Sequence, residues 1–269
     1  MPVINTNVSA LNAQNVMKTN SRAMSTAMEQ LSTGARVNSA KDDAAGLAIG
    51  QTMTAQIRGL NQAVRNANDG INLLQTTEGA MVEQTNMLQR MRELAVQSVN
   101  ATNSDQQRGY LDKEFGELSS QIGLINSQTM WNSTNVLASA TLTFQVGNSS
   151  DTTFTVNIVD TTVTGLGIGS ASIASAGVAS TALGLIDSAL DTVNGQRAQL
   201  GATMNRLTYT ADNLSNVSAN LAASRSNIMD TDYATASSQL SKTQIIQQAA
   251  TAMLAQANQQ PQAVLSLLK

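Results

Sequence analysis

From Leu60 onward, apolar residues recur at alternating spacings of four and three: Leu60, Val64, Ala67, Ile71, Leu74, Met81, Leu88 and Ala95, interrupted at Glu78, Thr85 and Arg92. This rhythm predicts a coiled-coil helix running to Val99. The stretch NATNSD ends it with side chains that compete for backbone hydrogen bonds. A shorter helix follows through Leu111, Phe115, Leu118, Ile122 and Ile125, and the short link makes the two an antiparallel αα-hairpin. The rhythm returns in Leu183, Ile186, Leu190, Val193, Leu200, Met204, Leu207, Ala211, Leu214, Leu221 and Ile228, with Arg197, Ser218 and Arg225 as polar breaks. Between these helices the period drops to two. Leu142, Phe144 and Val146, then Phe154, Val156 and Ile158, flank a Gly-Asn-Ser-Ser-Asp turn, which predicts a β-hairpin. A further strand is expected at Val163, Leu166 and Ile168, dissolving into a Gly/Ser/Ala connector.

The two ends carry helical patterns of their own. Ile4, Val8, Leu11, Met17, Met24, Met28 and Leu31 mark one, and Leu240, Ile246, Ala250, Met253 and Ala257 the other. No charge falls between Val3 and Met17 or between Thr243 and Leu268, so these segments can pair and be covered further without desolvating ions. The last residues, PQAVLSLLK, set Val264, Leu265, Leu267 and Leu268 at the terminus, where chains ordinarily fray into water. Pro261 is expected to open a last helical turn, where its missing N–H is harmless. A lone helix pair leaves its outer faces wet, so these ends are expected to order on self-association. Unlike patches meeting head to tail build a helical filament. The fold class is mainly α: an elongated antiparallel coiled-coil bundle with a small β-hairpin module, plus a terminal two-helix coiled coil formed by the N- and C-terminal arms.

Composition narrows the chemistry. The 269 residues include no cysteine and no histidine, which removes disulfides, thiolate nucleophiles, histidine bases and the commonest zinc ligands. A net charge of −3, with no Lys/Arg run, excludes a phosphate-backbone binder, so no nucleic-acid partner is expected. No basic n-region with an apolar h-region opens the chain and no apolar run nears a membrane span, so neither a cleaved signal nor membrane insertion is expected. GLGIG at 165–169 lacks the spacing and βαβ context of a phosphate loop. In NSAKDDAAG, Asp42 and Asp43 resemble a carboxylate pair, but Ser39 followed by Asp42 reads better as an N-cap for a helix starting near Ala40. Gly34 is placed as the left-handed C-cap of the preceding helix. No nucleophile and base pair is visible, so no enzyme activity and no cofactor are expected.

Three stretches carry a resemblance: LSTGARVNSAKDDAAGLAIG, LQRMRELAVQSVNATNSDQQR and SRSNIMDTDYATASSQLSKTQIIQQAATAMLAQANQQPQAVLSLL. They resemble the signature segments of bacterial flagellin, over residues 1–137 and 183–269. The resemblance implies an extracellular filament subunit for motility, exported unfolded through the flagellar type III apparatus and self-assembling into a tubular polymer. It implies partners as well: other copies, an export chaperone, a filament cap and hook-filament junction proteins. The large variable outer domains of the family have no counterpart. The implied organisation is an inner arm and turn at 1–40, helical rod at 41–137, β-hairpin module at 138–180, helical rod at 181–230 and inner arm at 231–269. Polymerisation is assigned to Ile4, Val8, Leu11, Leu240, Ile246, Ala250, Met253, Val264, Leu267 and Leu268. A surface recognised by a host Toll-like receptor is assigned to Gln89, Arg90, Arg92, Glu93, Leu94 and Glu114, with Met91 standing where that motif commonly has valine. The alternative within the same export system is a hook-filament junction protein, which resembles flagellin at both arms. A membrane-active toxin is disfavoured by the absence of basic charges on an amphipathic face.

Overall fold

The computed structural model describes residues 6–266, with side chains followed to Gln259. It is mainly helical, in the order α1 (Val8–Thr33), α2 (Ala44–Val99), α3 (Asp105–Gln128), β1 (Met130–Trp131), β2 (Thr134–Asn135), β3 (Ala140–Gln145), β4 (Thr153–Ile158), α4 (Ala176–Met229) and α5 (Tyr233–Ser266). Two compact units divide the chain, one built from residues 1–57 with 219–269 and the other from 58–218.

In the second unit, helix spacing builds the core. On α2 the buried rows are Leu60, Ala67, Leu74, Met81, Leu88 and Ala95, and beside them Ala63, Gly70, Thr77, Gln84, Met91 and Ser98. The first row matches the sequence pattern. The second lies one residue before the expected Val64 and Ile71, which are half-buried. Helix α4 repeats the offset: Ala182, Ala189, Gln196 and Thr203 are buried while Leu183, Leu190 and Met204 are half-buried. Small and polar residues take the central row because other backbones and side chains approach there. Gly70 lies under the Phe144 ring, and the Ser98 hydroxyl donates to the Ile173 carbonyl at 2.6 Å.

The αα-hairpin of α2 and α3 turns through residues 100–104, where Ser104 and Gln107 form a reciprocal capping box. Arg108, 8% exposed, donates to the Ser98 and Asn100 carbonyls at 2.8 and 3.0 Å and so caps the end of α2. Strands β1 and β2 form a tiny hairpin that the apolar pattern did not announce. Its turn residues Asn132 and Ser133 have φ of 46° and 65°, as a two-residue primed turn requires.

Strands β3 and β4 pair antiparallel, with Leu142 opposite Val156 and Phe144 opposite Phe154. Both long helices grip this hairpin. Asn66 Nδ2 donates to the Gln145 carbonyl at 3.0 Å, Gln196 Nε2 donates to the Asn157 carbonyl at 3.1 Å, and the Arg206 guanidinium lies 4.5 Å from the Phe154 ring centre. The strand expected at Val163, Leu166 and Ile168 is instead a compact turn: Leu166 N–H donates to the Thr162 carbonyl, and Gly167 takes a φ of 71°. This turn buries Leu166 and Ile168 without a ladder, so the apolar alternation reported burial and not a strand.

In the first unit, α1 closes on Gly34 at φ 72°, as expected. Helix α2, however, begins at Ala44. Its cap is Asp43, whose Oδ1 accepts from Gly46 N–H at 2.8 Å, while Ser39 to Asp42 form turns. Asp42 folds back to accept from the Ser39 N–H and hydroxyl at 2.9 and 3.0 Å, which holds its carboxyl below the ordinary range. The carboxylate that caps a helix must sit just before it, and Asp43 is the nearer one. Chain 34–37 is tied to the far side of the unit: Ala35 bridges Asp230, Thr231 N–H donates to the Gly34 carbonyl at 3.0 Å, and Arg36 N–H donates to the Met229 carbonyl at 2.6 Å.

Candidate assembly surface

Helices α1 and α5 run antiparallel, and the seam between them mixes alanines with methionine, leucine and polar side chains. Along α1 the covered positions are Ala10, Ala13, Met17, Asn20, Met24, Ala27 and Leu31; along α5 they are Ala236, Leu240, Thr243, Gln247, Ala250, Leu254 and Ala257. Both sets keep heptad spacing. Other bulky apolar side chains lie off the seam. Val8, Leu11, Val16 and Met28 on α1 are at least half exposed, and Ile245 and Met253 on α5 are each 66% exposed. Single exposed apolar residues are ordinary, but here they recur along two helices whose only charged residues are Lys18, Arg22, Glu29 and Lys242. Between the helices lies a shallow groove of about 490 Å³ lined by Asn15, Val16, Thr19, Ala23, Lys242 and Ile246.

The residues assigned to polymerisation therefore separate into two groups. Val8, Leu11 and Met253 face outward, whereas Ala250 is buried and Leu240 and Ile246 are half-buried in the pair. Ile4, Leu267 and Leu268 lie outside the described residues, as does the side chain of Val264. Sequence reasoning missed Ile245, the most exposed isoleucine among the described residues, because it fell off the helical stripe that defines the seam. A second correction concerns Pro261: α5 is continuous from Tyr233 to Ser266, so the proline lies inside the helix and not at a first turn.

On the second unit, Gln89, Arg92 and Glu93 line one shallow surface groove of about 540 Å³ with Val96 and Gln97. Arg90 bridges two carboxylates, donating to Glu114 at 2.8 Å and to Glu93 at 2.9 Å, and these partners raise its pKa, Glu114 foremost. Arg92 donates to Asp187 at 2.7 Å, with the same direction of shift. Leu94, expected on this surface, is 1% exposed and belongs to the core: it follows the buried Met91 by three residues and faces inward with it. Among the described residues no group of acidic, histidine or cysteine side chains is arranged to hold a metal ion, and no helix is long and apolar enough to cross a membrane.

Two family models cover this architecture, the bacterial flagellin N-terminal helical region over residues 4–141 and the C-terminal helical region over 183–268. The chain belongs to the bacterial flagellin family. It is 46% identical to a flagellin of Halalkalibacterium halodurans across 99% of this chain and 100% of the relative. It is 41% identical to a flagellin of Bacillus subtilis, across 99% of each, and 41% identical to a flagellar filament core protein of Brachyspira hyodysenteriae, across 99% and 100%. Among solved structures, Bacillus cereus flagellin is similar at a TM-score of 0.52 and 30% identity, covering 60% of this chain and 94% of that one. Flagellins are structural proteins and not enzymes, and this one is an extracellular subunit of the flagellar filament. Full-length likeness to flagellins and a filament core protein sets the junction reading aside.

Proposed function

We propose that α1 and α5 form the inner assembly surface of the filament subunit, and that the outward apolar residues Val8, Leu11, Ile245 and Met253 are covered by neighbouring copies. One observation carries this reading: besides a seam in which alanines are mixed with Met17, Met24, Leu31, Leu240 and Leu254, the pair leaves Val8, Leu11, Ile245 and Met253 half or more exposed, on helices of which α5 carries Lys242 as its one charged residue. Such a surface is costly in water and inexpensive to bury. Ile4, Val264, Leu267 and Leu268 are assigned to the same surface from their apolar character and terminal position. Residues 41–137 and 181–230 then form the rod, with the β-hairpin module at 138–180 as its outermost part.

The partners follow from this role: a chaperone that shields the C-terminal arm before export, a cap under which subunits add, and junction proteins at the filament base. The test is electron microscopy of the purified chain after seeding with filament fragments. Long uniform filaments are expected, and a persistent globular monomer would defeat the reading.

A second reading is favoured by the Arg90, Glu93 and Glu114 cluster, which presents fixed charge beside the groove at Gln89, Arg92 and Glu93. This face is proposed to engage a host Toll-like receptor through the exposed Gln89, Arg90, Arg92, Glu93 and Glu114, with Leu94 supporting it from beneath. Soluble monomer is expected to activate receptor reporter cells, and Arg90→Ala with Glu114→Ala to weaken that response at least tenfold. An unchanged response would remove the assignment.

A further inference from the structure

Pro261 has no N–H, so within α5 it cannot donate to the carbonyl four residues earlier, that of Ala257. That carbonyl receives another donor. Asn7 Nδ2 reaches it from the opposite helix at 2.8 Å, while Asn7 Oδ1 accepts from Ala10 N–H at 3.1 Å and caps α1. A single amide thus closes the start of one arm and the proline gap of the other. Both halves of the side chain are needed. Asp or Ser can accept from an N-terminal N–H, but Asp has no donor and the Ser side chain is too short to cross between helices.

The register that delivers Asn7 to this place is fixed elsewhere along the pair. Asn20, 8% exposed in the seam, donates to the Thr243 carbonyl at 2.8 Å and to Gln247 Oε1 at 3.1 Å. The Tyr233 hydroxyl donates to the Leu31 carbonyl at 3.0 Å. The same number of residues separates Asn7 from Leu31 as separates Tyr233 from Ala257, so these bonds describe one alignment. An alanine-rich seam alone discriminates weakly between alignments a heptad apart, and a buried asparagine is a known way to select one.

We propose that Asn7 couples arm pairing to the continuation of α5 past Pro261, so that the last helical turns are stable only when α1 is docked in register. The inference rests on the assembly reading above and names the residue that positions its C-terminal end.

The experiment uses the full chain in four forms: wild type, Asn7→Ser, Pro261→Ala and the double variant. Asn7→Ser keeps a capping side chain and adds no charge, and Pro261→Ala returns a backbone donor to Ala257. Two quantities are read on each form, the concentration needed to elongate seeds and the amide exchange of residues 262–266. Asn7→Ser alone is expected to raise that concentration, and to speed that exchange, by about five- to tenfold, the effect of one carbonyl left without its donor. In the Pro261→Ala background the same substitution is expected to change either quantity less than about twofold, because the helix then supplies the bond. Equal penalties in the two backgrounds overturn the coupling. If wild type fails to elongate seeds, the assembly reading fails, and the exchange measurement still decides the coupling by the same comparison.

Discussion

Gly70 and Gly79 sit on the same helix in opposite surroundings. A Cβ at Gly70 would lie 3.2 Å from two carbons of the Phe144 ring, whereas at Gly79 it would meet nothing within 4 Å. Glycine in a helix costs about 1 kcal/mol relative to alanine. Gly79→Ala is therefore expected to raise stability by about 0.5–1 kcal/mol in urea unfolding, and Gly70→Ala to yield no gain or a loss as the hairpin is pushed off α2. Equal gains at both sites would show that Phe144 does not pack as described. The pair also shows what the sequence made legible at this scale. A ranking by hydrophobicity finds Leu74, Met81 and Leu88, but it favours Val64 and Ile71 over the Ala63, Gly70, Thr77 and Gln84 row that is more fully buried. Close approach selects small residues, and smallness carries no apolar signal. Leu94 was misplaced for the related reason that a motif position does not state which way a side chain faces.

Elements were easier to read than their exact contacts. The long helices, the αα-hairpin and the β3/β4 hairpin follow from periods of 3.5 and 2, and the polar breaks in the helical seams, Thr85 apart, turn out to be meeting points. Glu78 on α2 and Arg197 on α4, each an interruption of its own pattern, pair at 2.8 Å while about one-third exposed. Ser218 donates to Asn61 Oδ1 at 2.9 Å in the same manner. Helix starts were less legible: Ser39 followed by Asp42 has the spacing of an N-cap, yet these residues form turns and Asp43 caps α2. At the start of α5 the cap is Asp232: its Oδ1 accepts from Ala234 N–H at 2.9 Å and its Oδ2 from the Thr235 hydroxyl at 2.8 Å. The Thr235 hydroxyl, followed by the backbone N–H groups, holds this carboxyl below its ordinary value of 3.8. A carboxyl whose pKa is lowered by folding contributes stability that is complete above the ordinary value and is lost as pH falls through the lowered one. Helix α5 is accordingly expected to lose its N-terminal support on acidification below about pH 4. Asp232→Asn, which keeps an accepting oxygen but cannot titrate, should flatten that part of the acid profile followed by circular dichroism. An acid profile identical to wild type would show that the cap contributes nothing.

For the molecule as a whole, the chain's lack of cysteine and histidine and its uncharged apolar ends pointed to a protein whose chemistry is association. The comparisons place it among the flagellins and so in the flagellar filament. The sequence left open which apolar residues of the arms close on each other and which remain for neighbours. A helical stripe marks one face, whereas the arm helices use two, a heptad seam and an outer surface with exposed apolar side chains. Other copies of the chain are proposed to complete this outer surface. The most direct test is seeded elongation by the chain carrying Ile245→Lys, which puts a charge on the outer surface of α5 while leaving the α1 seam untouched. Wild type is expected to extend seeds into long filaments and Ile245→Lys is not, while both are expected to melt alike in the helices of residues 58–218. Elongation by Ile245→Lys at the wild-type rate would contradict this role for the outer surface.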